Sequence, residues 1–206
     1  EYARQRWGDG RFIYVAADLY RLPLANDAVD VTVMVRVLHH IADVPTALRQ
    51  IARVTRAQGT LLLEFANKRH LKNILRYLVG RGPSPYAPEP YEFARLHFDF
   101  HPAWIAARLA ETGLAIQQRR SASLLRLGWL KRHLPASFLV RLDGLLQRPT
   151  AALALGPSQF VSARVQKEGP PQIVSRAHLF RCPACEGWPL HPVDNGLRCP
   201  QCAAHW

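Results

Sequence analysis

Between Phe12 and Phe65 the hydrophobic rhythm of the chain changes several times. Phe12-Ile-Tyr-Val-Ala-Ala-Asp18 is rich in β-branched and aromatic residues and ends in an acid, which predicts a strand. Leu22-Pro23 and Asn26-Asp27 then punctuate a loop. From Val29 to Val37 a valine takes every odd position, alternating with Asp30, Thr32, Met34 and Arg36. That period of two predicts a second strand over Val29–Leu38. The period then lengthens. Leu48, Ile51, Ala52 and Thr55 form the apolar stripe of a helix expected over Asp43–Thr55, with Asp43 as its cap and Pro45 in its first turn. Gly59 closes the connection, and Thr60–Phe65 reads as a third strand. Strand, helix and strand joined by short connections predict parallel crossovers in an α/β domain.

Beyond residue 67 the pattern becomes helical and broken. Leu71, Ile74, Leu75, Leu78 and Val79 line one face of a basic amphipathic helix. Pro83, Pro85, Pro88 and Pro90 mark a stiff, irregular segment that reads as a lid or linker. Pro102 opens another helix and Gly113 ends it. Leu114–Arg120 is a candidate strand, Phe138–Leu146 a further helix, and Phe160–Gln166 a last strand with clean alternation. Residues 167–177, containing Gly169-Pro170-Pro171, read as a linker between domains.

Composition narrows the partners. At 49% hydrophobic and 20% charged, the 206 residues can build a core and are not a disordered chain. The net charge of +12 permits nucleic acid, anionic lipid or acidic substrates. Of the 27 basic residues only four are Lys; the Arg excess is spread through every segment, with no run of five like charges. A dedicated nucleic-acid stripe is therefore not favoured. No stretch approaches 18 consecutive apolar residues, so no membrane span is expected.

Ala17-Asp18, Leu22-Pro23-Leu24, Val29-Asp30, Val37-Leu38-His39-His40-Ile41, Ala47-Leu48, Arg53-Val54 and Gly59-Thr60-Leu61-Leu62 fall in an informative order. That set resembles the class I S-adenosylmethionine-dependent methyltransferases, and most closely the branch with the quinone-biosynthesis enzymes. The resemblance covers roughly residues 1–120 and is most specific over 15–64. It implies an α/β, Rossmann-like class I methyltransferase sheet lacking its first strands, because the glycine-rich cofactor turn and the ribose-binding acid would precede residue 1. With Glu1 at the start and Met34 the only Met, the chain is expected to be a piece of a larger protein, itself poor at binding cofactor. The resemblance implies that Asp18 and Leu19 contact the adenine of S-adenosylmethionine and that Arg36 and Val37 run beside its methionine part. Asp18 has an alternative use as a turn cap, and Arg36 one as a solvated strand end. His39 and His40 would face the site mouth, as a general base or as a structural element of the turn.

Cys182-Pro-Ala-Cys185 and Cys199-Pro-Gln-Cys202 hold the only four cysteines, spaced C-x2-C-x13-C-x2-C. Two such pairs supply the four thiolates that structural zinc takes, with no open coordination position. Two disulfides or a redox pair are the competing readings, disfavoured in a chain expected to be cytoplasmic. The segment resembles the small zinc-ribbon protein that partners tRNA and release-factor methyltransferases, and the chain is expected to continue past Trp206.

The expected organisation is a partial methyltransferase domain over 1–166, with 68–113 as a lid or substrate insertion, then the linker over 167–177 and a small C-terminal zinc ribbon over 178–206. The expected activity is methyl transfer from S-adenosylmethionine to a small or lipid-like acceptor. The apolar face of residues 71–79 and the aromatics Tyr86, Tyr91, Phe93, Phe98, Phe100 and Trp104 suit a pocket that excludes water. The alternatives are a non-catalytic methyltransferase-fold adaptor with a zinc ribbon, and an RNA methyltransferase.

Overall fold

A computed structural model describes residues 5–6, 12–125, 128–168 and 174–206. These fall into two compact units. Described residues from Asn26 to Ser175 form one; those up to Ala25 form the other together with Arg176–Trp206.

The larger unit is built on a four-stranded sheet. Its elements are β1 (Val29–Met34), α1 (Val44–Val54), β2 (Thr55–Ala66), α2 (Leu71–Leu78), β3 (Tyr91–Ala94), β4 (His97–Asp99), α3 (Pro102–Glu111), β5 (Leu114–Ala122), α4 (Gly128–His133), α5 (Ala136–Ala152) and β6 (Ser158–Val165). The sheet order is β1-β2-β6-β5. β1 and β2 are parallel, while β6 runs antiparallel to both β2 and β5. β3 and β4 form a separate hairpin.

Local chemistry accounts for these elements. Asp43 caps α1, accepting from the Thr46 amide at 3.0 Å, and Pro45 stands in the first turn. The stripe Leu48, Ile51, Ala52 and Thr55 is buried as its period requires. α1 packs on β2 and α3, and α3 packs on β5. Leu61, Leu63, Phe65, Ile105, Leu109 and Ala163 are all within a few per cent of full burial, so the core lies under this sheet face. α3 starts at Pro102 behind a His101 cap and ends before Gly113, which takes φ 72°.

Three sequence expectations need correction. Phe12–Asp18 is not a strand. A strand needs a hydrogen-bonding neighbour, none of the described strands runs beside it, and Phe12, Ile13 and Val15 stay about half-exposed. The second strand stops at Met34, because Arg36 adopts φ 62° and turns the chain out of the sheet. The third strand starts earlier, at Thr55. Its register against β1 jumps from Val29 opposite Thr55 to Val31 opposite Thr60, so Arg56–Gly59 bulge outward.

The unit's two chain ends are tied. The Lys167 ammonium donates to Asp27 Oδ1 at 2.5 Å, Arg53 O at 2.9 Å and Thr55 O at 2.7 Å. Lys167 thus anchors the first residue of the expected linker; Gly169-Pro170-Pro171 lie outside the described residues.

In the smaller unit, β7 (His191–Val193) pairs antiparallel with β8 (Gly196–Arg198). Pro23–Ala25 lies alongside Leu179–Arg181: Leu24 bridges Phe180, Ala25 N donates to Leu179 O at 2.9 Å, and Arg181 N donates to Pro23 O at 3.1 Å. This pairing groups the early residues with the ribbon, where the sequence suggests one domain over 1–166.

Gly59 is the tightest backbone approach in the sheet. A Cβ there would stand 2.8 Å from both Arg56 O and Asp30 O. Gly59→Ala is expected to destabilise the protein by about 1–3 kcal/mol through this overpacking, read from the urea unfolding midpoint.

Candidate functional site

In open α/β sheets, ligands bind outside the carboxyl ends of the parallel strands. Here those ends are carried by β1 and β2. Glu64, near the end of β2, is 3% exposed, and its Oε2 accepts the Arg36 amide at 2.9 Å. A buried carboxylate thus fixes the left-handed turn by which Arg36 and Val37 leave β1. The Arg36 side chain and Val37 are exposed beside it.

Leu38–His40 is a 3-10 turn with Leu38 fully buried. The two histidines that follow meet a third from the β3–β4 hairpin. Ring centroids lie 3.9 Å apart for His39 and His40, and 4.6 Å for His40 and His97, edge to face. His40 Nδ1 donates to Leu96 O at 3.1 Å and His97 Nδ1 to Arg95 O at 2.9 Å. A carbonyl can only accept, so both rings carry a proton on Nδ1. Burial, then the neighbouring His40, hold the His39 imidazole below its usual pKa against the opposing pull of Glu64. His39 is thereby biased toward the neutral imidazole, the form that accepts protons.

Beneath the hairpin, Lys68 is 5% exposed, and its ammonium donates to Ala87 O at 3.0 Å and Glu89 O at 2.8 Å. One side chain thus ties the proline-rich segment to the end of β2. Burial lowers the Lys68 pKa and raises that of Asp99, each acting against the attraction of opposite charge nearby. Asn67, also buried, donates to Ala154 O and Gly156 O at 2.8 Å each.

Asp18 and Leu19 belong to the smaller unit. The Asp18 carboxylate caps the turn Leu19–Arg21, accepting from Tyr20 N at 2.9 Å and facing Arg21 Nε at 3.4 Å. Asp18 and Arg21 also edge a cavity of about 560 Å³, walled by Ile13, Tyr14, Phe180, Leu190 and Trp206.

The smaller unit brings Cys182, Cys185, Cys199 and Cys202 together, with all four sulfurs within 4.8 Å of one another. Both knuckles fold alike. Cys182 O accepts from Glu186 N at 2.9 Å, and Cys199 O from Ala203 N at 3.1 Å; Glu186 and Ala203 both take left-handed φ, 64° and 58°. Gly187 is needed for closure, since a Cβ there would stand 2.9 Å from Cys199 Sγ. The sulfur separations are 3.7 Å for Cys182–Cys202 and 3.4 Å for Cys185–Cys199. A tetrahedron with Zn–S bonds of about 2.3 Å has edges of about 3.8 Å. The donor set therefore fits zinc. Burial opposes ionisation of Cys182, but the amides of Cys185 and Ala184 outweigh it and bring the thiol down to about 6. At Cys185 the Gly187 amide favours the thiolate, yet the sulfurs of Cys202 and Cys199 drive it up to about 12. At this spacing all four sulfurs can ionise together only with a cation among them.

With this geometry in place, the comparisons are informative. A family model described as a methyltransferase domain matches residues 1–63. Three solved structures share the fold. A chain of the complex between the Haloferax volcanii Trm112 methyltransferase activator and a methyltransferase is 14% identical, with a TM-score of 0.51 over 80% of this chain and 66% of that one. An S-adenosylmethionine-dependent methyltransferase from Listeria monocytogenes is 12% identical, with a TM-score of 0.51 over 80% and 74%. The [4+2]-cyclase SpnF is 18% identical, with a TM-score of 0.51 over 81% and 61%. This chain therefore spans just under two thirds of the first and third of these. No curated protein matches in sequence. The chain has the mixed α/β, Rossmann-like fold of the S-adenosylmethionine-dependent methyltransferases, with a four-cysteine cluster compatible with a zinc ribbon.

Sequence reading missed Glu64, Lys68 and Asp99. Glu64 did leave a signal, as the one charge inside the apolar run Thr60–Phe65. Lys68 and Asp99 left none, since their burial depends on a segment folding back from twenty or more residues away.

Two outcomes are expected. His39, His70 and His101 all have pKa values lowered chiefly by burial. Between their folded values and the ordinary 6.5, the unfolded chain binds more protons, so stability is full above about pH 7 and falls as pH drops below it. The thermal midpoint should decline over that window, and less steeply in His39→Gln. Purified protein should carry about one zinc per chain by elemental analysis, lost in Cys199→Ser.

Proposed function

We propose that this chain is part of an S-adenosylmethionine-dependent methyltransferase acting in the cytoplasm on a small or lipid-like acceptor. The observation that carries this reading is the apparatus at the carboxyl ends of β1 and β2: a backbone turn at Arg36–Val37 fixed by buried Glu64, beside clustered imidazoles from two separate elements. In this reading Arg36 and Val37 lie along the methionine part of the cofactor, and Asp18 and Leu19 take the adenine. S-adenosylmethionine, when bound, supplies an activated methyl group. The chain's own residues orient the acceptor and exclude water under the proline-rich segment and β3–β4 hairpin of 68–113, the α2 leucines staying outside this cover. If the acceptor is an oxygen or carbon acid, Nε2 of His40 or His97 accepts its proton. The four cysteines hold a structural zinc that keeps the smaller unit folded.

A second reading has one observation in its favour. The four-cysteine knuckles sit in a chain whose fold matches a component of a methyltransferase–activator complex. In that reading the protein is a non-catalytic partner. The cyclase SpnF shares the fold, so the fold by itself does not dictate methyl transfer.

Calorimetry with S-adenosylhomocysteine separates these readings. It should be run on the 206-residue chain and on a version extended with the sequence encoded before Glu1. The extended version is expected to bind the more tightly, and Asp18→Ala within it to lose about 1–3 kcal/mol. Equal affinity for the wild type and Asp18→Ala would move the adenine elsewhere. No binding by the extended version would favour the partner reading.

A further inference from the structure

The described surface of the larger unit carries exposed apolar side chains on two helices, α2 and α5, the latter packing on β5 and burying Thr150 and Ala151 near its end. α2 has no buried residue. Its stripe Leu71, Leu75 and Leu78 follows helical spacing, with Leu75 55% and Leu78 70% exposed. The next residue along each turn is basic, Lys72 and Arg76, and Arg81 follows the helix. Residues 71–81 contain no acid. α5 repeats the design. Phe138, Leu142 and Leu145 share one face, Leu145 is 77% exposed, and Arg141 and Arg148 flank that face. Trp129 on α4 adds an indole that is 62% exposed. Asp143 is the single acid from Gly128 to Ala152. The two regions are joined where the Leu71 amide donates to Leu155 O at 2.9 Å, just past the end of α5.

A core helix would bury its leucines, and exposed leucines gathered in stripes mark an interaction surface. No described helix is long and apolar enough to cross a membrane. We propose that α2, together with the α4–α5 face, docks on an anionic lipid surface. The leucine and aromatic stripes enter the boundary between headgroups and acyl chains, and Lys72, Arg76, Arg141 and Arg148 meet the headgroup phosphates. Tryptophan suits that depth, having an apolar body and one polar N–H. RNA would satisfy the charges but has no use for exposed leucines, whereas a bilayer uses both. α2 is only two turns long, so α4 and α5 are needed for stable attachment. The inference stands apart from methyl transfer, since docking requires no cofactor; if both hold, the lipid surface is where the acceptor is met.

The test is co-sedimentation of the 206-residue protein with vesicles of phosphatidylcholine, alone or mixed with phosphatidylglycerol. Binding to the mixed vesicles is expected, weakening with salt, with little on phosphatidylcholine alone. Lys72→Gln with Arg76→Gln should weaken it about 30-fold, at about 1 kcal/mol for each charge near the surface. Leu75→Glu with Leu78→Glu should weaken it by more than about tenfold. Both leucines are exposed, so the fold should survive, as checked by circular dichroism. Leu78→Ser with Leu145→Ser, one change on each helix, should give a smaller loss in the same direction. Absence of binding to mixed vesicles, or binding unchanged by either leucine pair, would overturn the proposal. So would tighter, salt-sensitive binding to an RNA oligomer that ignores the leucine changes.

Discussion

Strand β2 is the constraint on which the larger unit depends. Among the described strands it alone is paired parallel on one side and antiparallel on the other, joining β1 to the antiparallel pair β6–β5. Its buried residues Leu61, Leu63 and Phe65 form much of the core. Its carboxyl end then carries three polar side chains in quick succession, all buried. Glu64 fixes the turn out of β1, Asn67 holds the start of β6, and Lys68 anchors the proline-rich cover. Burying a polar group is tolerable only when it is bonded, so each of the three commits a different segment to one place.

Most of the larger unit was legible because its signals are local. The alternation at Val29–Val33, the capped stripe of α1, the Pro102 and Gly113 boundaries of α3 and the alternation in β6 all follow from neighbours within a few residues. What could not be read depends on distant partners. Phe12–Asp18 has the composition of a strand but finds no neighbour, and composition cannot supply one. Arg56–Gly59 belongs to β2 only through a bulge against Asp30. The pairing of Pro23–Ala25 with Leu179–Arg181 spans more than 150 residues of sequence and leaves no local trace. The cysteine spacing was legible because two short knuckles carry nearly the whole site.

The two units solve the problem of holding polar atoms differently. In the larger one, buried charges are neutralised by backbone carbonyls and amides drawn from several segments. Among the described residues of the smaller one, Cys182, Leu190 and Cys199 form a small buried cluster with Phe180 and Leu197 against it, and Ala25 is buried besides. So few apolar residues cannot order a unit of this size by burial alone. The mutual repulsion of four ionised sulfurs becomes an asset once a cation sits among them, because each sulfur is then held by the same centre.

The Lys167 ammonium bonds Asp27 and the carbonyls of Arg53 and Thr55, so the larger unit's chain arrives and departs within the reach of one side chain. The smaller unit, for its part, is written in two pieces, joined by the bridge between Leu24 and Phe180. Topologically, the sheet is a cassette spliced into a discontinuous host. A cassette whose two ends meet can be excised, transplanted or circularly permuted with little change to either framework. The sheet unit is thus one uninterrupted stretch of sequence, while the ribbon unit is assembled from the segments on either side of it.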